Sequence, residues 1–269
     1  MPVIYPFSQY TVMSFVISLI DEGKKHSTIM TYLSAIAFAH KVRGVPDPTS
    51  TFLFSKFTTG LRKSLAADES PRLQPITFIM LKELIALVDN LRTSRMEKSL
   101  LKAVMSLMYH ACLRISEIGK SNSAKHAIRS KNVRFSTRPP SAYPNKLTIT
   151  LTSFKHSKGS KTLEIRAIKD HRICPVRLLQ EYVDAKKPSV TLFCNNQGKP
   201  ITRSYVMTRL QELVAMSSFR LKRVNTHSFR IGRTTDLVLK GGVSDAYIRH
   251  VGRWSSTAYL KYVRSVVSL

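Results

Sequence analysis

The strongest constraint on the fold is a polar break at residues 66–75. The segment reads AADESPRLQP, contains two prolines and lacks periodic apolar spacing, which is typical of an interdomain linker. Apolar patterns with helical spacing lie on both sides of it. A chain of 269 residues is long enough for two hydrophobic cores. We therefore predict a small unit over residues 1–67, a linker over 68–75 and a larger unit over 76–269.

The first unit is predicted to contain three helices. Residues 8–22 place their apolar side chains on one helical face, and Gly23 follows as a stop signal. Ser27 can cap a second helix that ends near Gly44. After a proline-rich turn, residues 52–65 offer a third helix. These patterns predict a small all-α domain.

The larger unit is predicted to be mainly helical with a short antiparallel sheet. Thr77 can cap its first helix, and residues 95–111 form a longer apolar one. Residues 147–152 alternate apolar and polar side chains, and residues 162–165 repeat that alternation, which predicts a hairpin with a basic tip. Further helical patterns cover residues 175–183, residues 205–214 and the stretch from 229 to the end.

The charge of the chain indicates a polyanionic partner. It has 43 Lys and Arg against 16 Asp and Glu, a net charge of +27, which is far more than solubility requires. Because the positive charge runs through both predicted units, we expect the protein to wrap a nucleic acid. The side chains expected to contact this nucleic acid are Lys24, Lys25, Arg62, Lys63, Lys158, Lys161 and Arg253.

Cysteine usage and hydropathy indicate an intracellular protein. Cys112, Cys174 and Cys194 are scattered and odd in number, which fits reduced thiols packed in a core rather than a disulfide or zinc framework. We find neither an apolar run of about 18 residues nor an N-terminal signal pattern. We therefore expect no membrane partner and a DNA-associated location, the nucleus in a eukaryote or the cytoplasm in a prokaryote.

The C-terminal part of the chain carries a set of groups suited to phosphodiester chemistry. His227 and Arg230 stand three residues apart at a predicted helix start, so both can face one phosphate. Trp254 offers an indole N–H, and Tyr262 offers a phenol. Cleavage without a metal requires a deprotonated nucleophile, stabilised nonbridging oxygens and a protonated leaving group. A phenol has a pKa of about 10, so a positive site must favour its ionisation.

These motifs resemble those of the tyrosine recombinases, the family of phage integrases, Xer proteins and Cre. The string Ala111-Cys-Leu-Arg-Ile-Ser-Glu117 resembles the family's G-L-R-I-S-E-L segment, and His227-Ser-Phe-Arg230 resembles its H-x-x-R. The string from Val251 to Arg264, VGRWSSTAYLKYVR, is similar to strings that recur in recombinases of Crypton and DIRS-like mobile elements. The resemblance covers nearly the whole chain, with four motifs in order.

The resemblance implies a fold, a reaction and an assembly. The fold would be a helical, SAM-like core-binding domain followed by an α+β catalytic domain of the tyrosine recombinase type. Tyr262 would attack the scissile phosphate to give a 3′-phosphotyrosyl link and a free 5′ hydroxyl, with no cofactor and no metal. Arg114, Arg230, His227 and Trp254 would bind the nonbridging oxygens. A homotetramer on two synapsed duplexes of double-stranded DNA would exchange strands for the excision and integration of a mobile element.

Two site assignments stay open on sequence grounds. The family's general acid is a hairpin lysine, and Lys155 is favoured here over Lys158. Tyr259 and Tyr247 compete with Tyr262 as nucleophile. Tyr262 follows Trp254 by eight positions where many relatives show nine, and Tyr259 would need a still shorter spacing, so Tyr262 is favoured. Glu117 is expected to orient a basic site residue or to pack locally. His250 is expected to be structural or to contact a phosphate.

Two other functions remain alternatives. A type IB topoisomerase uses nearly the same side chains as a monomer that relaxes DNA. A domesticated DNA-binding protein would retain the same motifs without activity. Trp254 at the third polar position and the helical N-terminal unit favour the site-specific recombinase.

Overall fold

The computed structural model describes residues 5–65, 73–119, 127–139, 143–152 and 159–264. The chain divides into two compact units, Met1–Pro71 and Arg72–Leu269. Residues 68–72 of the predicted linker over 68–75 lie outside the described residues. Gln74, near the end of that linker, is bound to the larger unit, because its N–H donates to the carbonyl of Arg223 at 2.9 Å.

The smaller unit contains three helices, α1 (Gln9–Asp21), α2 (His26–Val42) and α3 (Phe52–Leu65). Ser8 caps α1 by accepting from the N–H of Thr11, and Gly23 follows the helix with a φ of 69°. The core consists of Val12, Val16, Leu19, Ile29, Leu33, Phe54 and Leu61.

The predicted cap of α2 is wrong. The helix begins two residues earlier than a cap at Ser27 would place it, at His26, and Lys25 precedes it without a side-chain capping bond. Ser27 therefore lies inside the first turn, where its main-chain carbonyl accepts from the hydroxyl of Thr31 at 2.9 Å.

The larger unit contains the remaining helices and all three described strands. Its helices are α4 (Phe78–Leu87), α5 (Arg95–His110), α6 (Ile115–Ile118), α7 (Pro175–Ala185), α8 (Arg203–Met216), α9 (Ser228–Leu239) and α10 (Asp245–Gly252). Thr77 caps α4 as predicted, by accepting from the N–H of Met80. Helix α5 is central, since most of its apolar side chains are fully buried.

The sheet is antiparallel with the order β1-β2-β3, formed by Val133–Ser136, Lys146–Leu151 and Lys161–Arg166. The register pairs Leu147 with Ile165 and Ile149 with Leu163, so the apolar side chains of the hairpin share one buried face. The antiparallel pairing of the two predicted hairpin strands is confirmed, whereas residues 153–158 of the predicted basic tip lie outside the described residues. Strand β1 was not predicted. The mainly helical fold class with a small antiparallel sheet is confirmed.

Close packing fixes helix α9 against the segment that precedes α4. The N–H of Ile76 donates to the carbonyl of Ser228 at 3.0 Å. A β-carbon on Gly232 would lie 1.7 Å from the carbonyl oxygen of Ile76, so only glycine fits there. This contact orients α9, which carries the candidate site residues discussed below.

The three cysteines are buried and unbridged, as their predicted role in the core requires. Among the described residues, no group of three or more His, Cys, Asp or Glu side chains is arranged to hold a metal ion. None of the described helices is both long enough and apolar enough to cross a bilayer.

Candidate active site

Arg114 lies in the turn between α5 and α6. The turn contains Cys112 with a φ of 47°, a conformation that few residues with a β-carbon adopt. The carboxylate of Glu117 accepts from the main-chain N–H of Arg114 at 2.8 Å and lies 3.4 Å from its Nη1. Glu117 thus orients Arg114, one of the two roles expected for it, while the Arg114 side chain remains 20% exposed.

His227 and Arg230 lie at the start of α9. His227 immediately precedes the helix, and its N–H donates to the side chain of Asn225 at 2.7 Å. Arg230 is fully buried, and its guanidinium donates to the carbonyl of Cys112 at 2.6 Å and to the carbonyl of Gly252. The guanidinium is therefore held from two sides by main-chain oxygens.

Trp254 packs on Arg230. The Arg230 guanidinium carbon lies 4.3 Å from the centre of the Trp254 ring, a cation–π contact. A β-carbon on Gly252 would lie 1.6 Å from the Trp254 ring, so the glycine is what permits this ring position. Trp254 is half-buried, so its ring can pack on Arg230 while its indole N–H donates a hydrogen bond.

Tyr262 lies against the same three groups. Its ring centre is 5.1 Å from the ring of His227, 5.2 Å from the ring of Trp254 and 5.7 Å from the guanidinium carbon of Arg230. A 3₁₀ turn over Thr257–Tyr262 spans the short interval after Trp254. The spacing of eight residues is thus long enough to bring the phenol to the site.

The two competing tyrosines make fewer contacts with the site than Tyr262 does, since Tyr259 reaches only the ring of Trp254, at 6.0 Å between ring centres. Tyr259 is buried and packs with Leu237 and Ile248. A hydrogen bond to Asp245, together with burial, raises the pKa of Tyr259. Tyr247 lies on α10 and is 48% exposed. The ring contacts therefore favour Tyr262 over both.

The positive surroundings keep His227 neutral. Burial, followed by the charges of Arg230, Arg114 and Arg264, lowers the pKa of His227 to about 4. Burial likewise lowers the pKa of Arg230 to about 10, which still leaves it charged at neutral pH. The site therefore combines a neutral imidazole with fixed positive charge next to a phenol, a combination that can accept a proton and stabilise an anion.

Arg253 is not placed as predicted. We expected a DNA contact, but its side chain is 1% exposed and pairs with Glu117 at 2.8 Å. It also donates to the carbonyls of Ala111 at 3.0 Å and Cys112 at 3.1 Å. The basic side chain turns inward because a buried carboxylate and two carbonyls compensate its charge.

The other predicted DNA contacts are dispersed. Lys24, Lys25, Arg62 and Lys63 are exposed on the smaller unit. Lys161 is half-buried as the first residue of β3, where it pairs with Leu151. Lys155 and Lys158, the two candidate general acids, lie outside the described residues. His250 is exposed on α10.

Sequence reasoning missed the groups that hold the site residues. The carbonyls of Cys112 and Gly252 bind Arg230, and the hydroxyl of Thr235 binds the main chain of Tyr262. Main-chain carbonyls leave no mark in a motif. The glycine before Arg253 and Trp254 was a usable signal, since a glycine at a packed turn often marks a close approach.

A model of the phage integrase family matches residues 77–265. No curated protein sequence matches the chain. The family match therefore lies within the larger unit. Solved structures with a similar fold cover the smaller unit as well.

Three solved structures illustrate that similarity. The Tn1549 transposon integrase in complex with circular intermediate DNA has a TM-score of 0.62 at 14% identity, covering 99% of this chain and 84% of that one. The lambda integrase tetramer bound to a Holliday junction has a TM-score of 0.59 at 13% identity, covering 96% and 65%. The XerH recombinase bound to a palindromic difH substrate has a TM-score of 0.52 at 16% identity and covers 72% of this chain. This chain spans 51% of the length of the XerH chain.

Proposed function

The chain belongs to the phage integrase family, and from this we propose that it is a site-specific DNA recombinase whose nucleophile is Tyr262. The observation that carries the proposal is the convergence of the Tyr262 ring on His227, Trp254 and Arg230. In this reaction the phenol oxygen attacks the scissile phosphorus and the bond from phosphorus to the 5′ oxygen breaks. A 5′ hydroxyl of a partner strand then attacks the phosphotyrosyl phosphorus, the bond from phosphorus to the Tyr262 oxygen breaks, and the phenol regains a proton.

The first chemical step is removal of the phenol proton. His227 is neutral in this environment, and its ring lies 5.1 Å from that of Tyr262. A neutral imidazole can accept a proton, whereas an imidazolium cannot. His227 is therefore the general base in our proposal, and its imidazolium then adds charge beside the phosphate.

The phosphate is held by arginines and the indole. Each terminal nitrogen of the Arg230 guanidinium donates one hydrogen bond to a main-chain carbonyl. Its buried Nε has no hydrogen-bond partner among the described residues. Arg114 is the more accessible of the two guanidiniums. Planar guanidiniums bind two oxygens at once, so both suit the charge that develops in the transition state. The Trp254 N–H donates a further hydrogen bond in our proposal.

The leaving 5′ oxygen takes its proton from a lysine of the β2–β3 hairpin. We propose Lys155 in preference to Lys158, since the apolar–polar alternation of the amino-acid sequence, counted from Leu147 in steps of two, reaches position 155. The remaining lysines would contact the DNA backbone, as would Lys24, Lys25, Arg62 and Lys63 on the smaller unit. That unit, over residues 1–67, would act as a DNA clamp joined by the segment 68–75 to the catalytic domain over 76–269.

Strand exchange between two duplexes needs two active sites on each, so we propose a homotetramer on synapsed DNA. The similarity to a lambda integrase tetramer bound to a Holliday junction supports this assembly. The similarity to a transposon integrase and the Crypton-like wording around Trp254 support a role in excision and integration of a mobile element inside the cell.

The function is tested with a pool of nicked duplexes of randomised sequence. Cleavage beside the nick releases a short fragment, so the covalent protein–DNA adduct accumulates and survives denaturation. We expect an adduct with the wild type, none with Tyr262→Phe, and an unchanged amount with Tyr247→Phe as the matched control. Absence of any adduct contradicts the proposal. Relaxation of a supercoiled circle without strand exchange would favour a topoisomerase instead.

A further inference from the structure

We propose that Arg253 is a positioning residue that fixes both phosphate-binding arginines and keeps Glu117 from neutralising Arg114. The inference rests on the function proposed above and adds a residue to its site. Arg253 directly follows helix α10, and its side chain is 1% exposed. It does not face a ligand. Its contacts run to the turn between α5 and α6.

Arg253 contacts the strained backbone of the turn between α5 and α6. Arg253 and Cys112 are the two non-glycine residues with a positive φ in the described part of the chain, at 57° and 47°. A hydrogen bond joins them, from Nη2 of Arg253 to the carbonyl of Cys112 at 3.1 Å. Such conformations are costly for residues with a β-carbon and persist where surrounding contacts hold them. The Arg253 guanidinium thus supports the turn that contains Cys112.

Arg230 depends on the same turn. The carbonyl of Cys112 that accepts from Arg253 also accepts from Nη1 of Arg230 at 2.6 Å. Two guanidiniums therefore share one carbonyl. If the turn moved, Arg230 would lose one of the two main-chain oxygens that hold it. The position of Arg230 under Trp254 consequently depends on Arg253.

Glu117 lies between the guanidiniums of Arg253 and Arg114. One carboxylate oxygen accepts from Nη2 of Arg253 at 2.8 Å, while the other lies 3.4 Å from Nη1 of Arg114. The closer partner, Arg253, is as deeply buried as Glu117 itself. Arg253 therefore compensates most of the carboxylate's charge, and Arg114 keeps its own charge available for a phosphate.

Removal of Arg253 would reverse this balance. Arg253→Met leaves Glu117 buried with Arg114 as its remaining cationic side-chain partner among the pairs described here. A buried, uncompensated carboxylate binds any available guanidinium strongly. We expect Glu117 to draw Arg114 inward, so the variant still binds DNA but cleaves it slowly.

The test uses a nicked duplex recovered from the randomised pool and follows adduct formation in a single turnover with protein in excess. We expect Arg253→Met to lower the rate about 100-fold, the size of effect seen when a preorganised donor is lost. DNA affinity and its salt dependence should stay within about twofold, because Arg253 does not touch DNA. Adding Glu117→Gln should restore the rate about tenfold, since the amide no longer captures Arg114.

The matched control is Arg177→Met. Arg177 also pairs with a glutamate, Glu181 at 3.1 Å, but on the exposed surface of α7, so its loss should leave the rate unchanged. If Arg253→Met does not fold, Arg253→Lys replaces it. Lysine keeps the charge but lacks the planar fork, and the same direction of change is expected.

A second readout does not depend on cleavage. Trp254 is the single tryptophan, and its ring lies on Arg230, so its fluorescence reports the position of that guanidinium in the free protein. We expect the emission to change in Arg253→Met or Arg253→Lys and not in Arg177→Met. This readout separates failure of the inference from failure of the proposed function, which would show as a wild type without adduct.

Three outcomes would overturn the inference. One is a weaker DNA affinity of Arg253→Met with a salt dependence reduced by about one phosphate contact, which would make Arg253 a DNA ligand. Another is a double variant with Glu117→Gln that cleaves no faster than Arg253→Met alone. The third is unchanged Trp254 emission in the folded Arg253 variant.

Discussion

The hydroxyl of Thr235 donates to the main-chain carbonyl of Tyr262 at 3.3 Å and accepts from the N–H of Arg264 at 3.2 Å. Thr235 is buried on α9, the helix that begins beside His227 and carries Arg230. One helix therefore carries Arg230, begins directly after His227 and also anchors the segment that contains Tyr262.

Thr235→Val should slow cleavage by releasing this anchor. The substitution keeps the shape of the side chain and removes two hydrogen bonds, each worth about 1 kcal/mol. We expect adduct formation to slow about tenfold while DNA affinity is retained. Thr235→Ser keeps the hydroxyl and is expected to stay close to the wild type. Equal rates for the serine and valine variants would argue against an anchoring role.

The rate of DNA cleavage should fall on acidification only at an unusually low pH. Since the pKa of His227 is lowered to about 4, the imidazole stays neutral in the folded protein down to that pH. Cleavage measured at subsaturating DNA between about pH 3.5 and about pH 8 reports the DNA-free site, and it should lose its base only near pH 4. In His227→Gln this acid-side loss should disappear and the rate should be lower throughout. A midpoint near 6.5, the ordinary pKa of histidine, would contradict the lowered pKa of the buried His227.

The same shift makes stability depend on pH. Between the ordinary value of 6.5 and about 4, unfolded His227 binds a proton that the folded site excludes. The free energy of unfolding therefore rises with pH through this window. Urea unfolding at several pH values should show a smaller acid-side decline in His227→Gln than in the wild type.

Gly252→Ala should displace Trp254. The new methyl group would meet the indole ring at 1.6 Å, so the ring must leave its position on Arg230. We expect a change in tryptophan emission and cleavage slowed at least about tenfold, because a donor to the phosphate is lost. Gly198→Ala is a control in a loop where a β-carbon meets no atom within 4 Å, although its φ of 72° brings local strain. Unaltered emission in Gly252→Ala would show that the ring contact is wrong.

Gly232→Ala should destabilise the larger unit. Its methyl group would lie 1.7 Å from the carbonyl of Ile76, which is main chain and cannot move aside cheaply. We expect a loss of about 3 kcal/mol in the free energy of unfolding, measured by urea denaturation. Gly60→Ala, with nothing within 4 Å on helix α3, should be neutral or slightly stabilising. Comparable midpoints for the two variants would contradict the close approach.

Local patterns were sufficient for the long elements. Helices α1, α3 and α5 and the β2–β3 hairpin were predicted because apolar periodicity within one segment determines them. Strand β1 escaped prediction because it has four residues without strict alternation and pairs with a strand that begins ten positions later. The cap of α2 was placed at Ser27 because a serine is a preferred cap, although Lys25 occupies that position.

The candidate site residues could be predicted from the sequence, but the groups that hold them in place could not. His227, Arg230, Trp254 and Tyr262 stand in recognisable motifs, and the structure brings them together. Arg253 was misassigned because an arginine in a basic chain is ordinarily exposed. Its actual partner, Glu117, is 136 positions away along the chain, and no local pattern reveals such a pairing.

The most direct test of the account is the identity of the tyrosine that becomes linked to DNA. Lys240, Arg249, Arg253, Lys261 and Arg264 divide the C-terminal region so that trypsin separates Tyr247, Tyr259 and Tyr262 into different peptides. After nuclease digestion of the trapped adduct, mass spectrometry should find the nucleotide on the peptide Tyr262-Val-Arg264. A nucleotide on the peptide from Trp254 to Lys261, which contains Tyr259, would contradict the account.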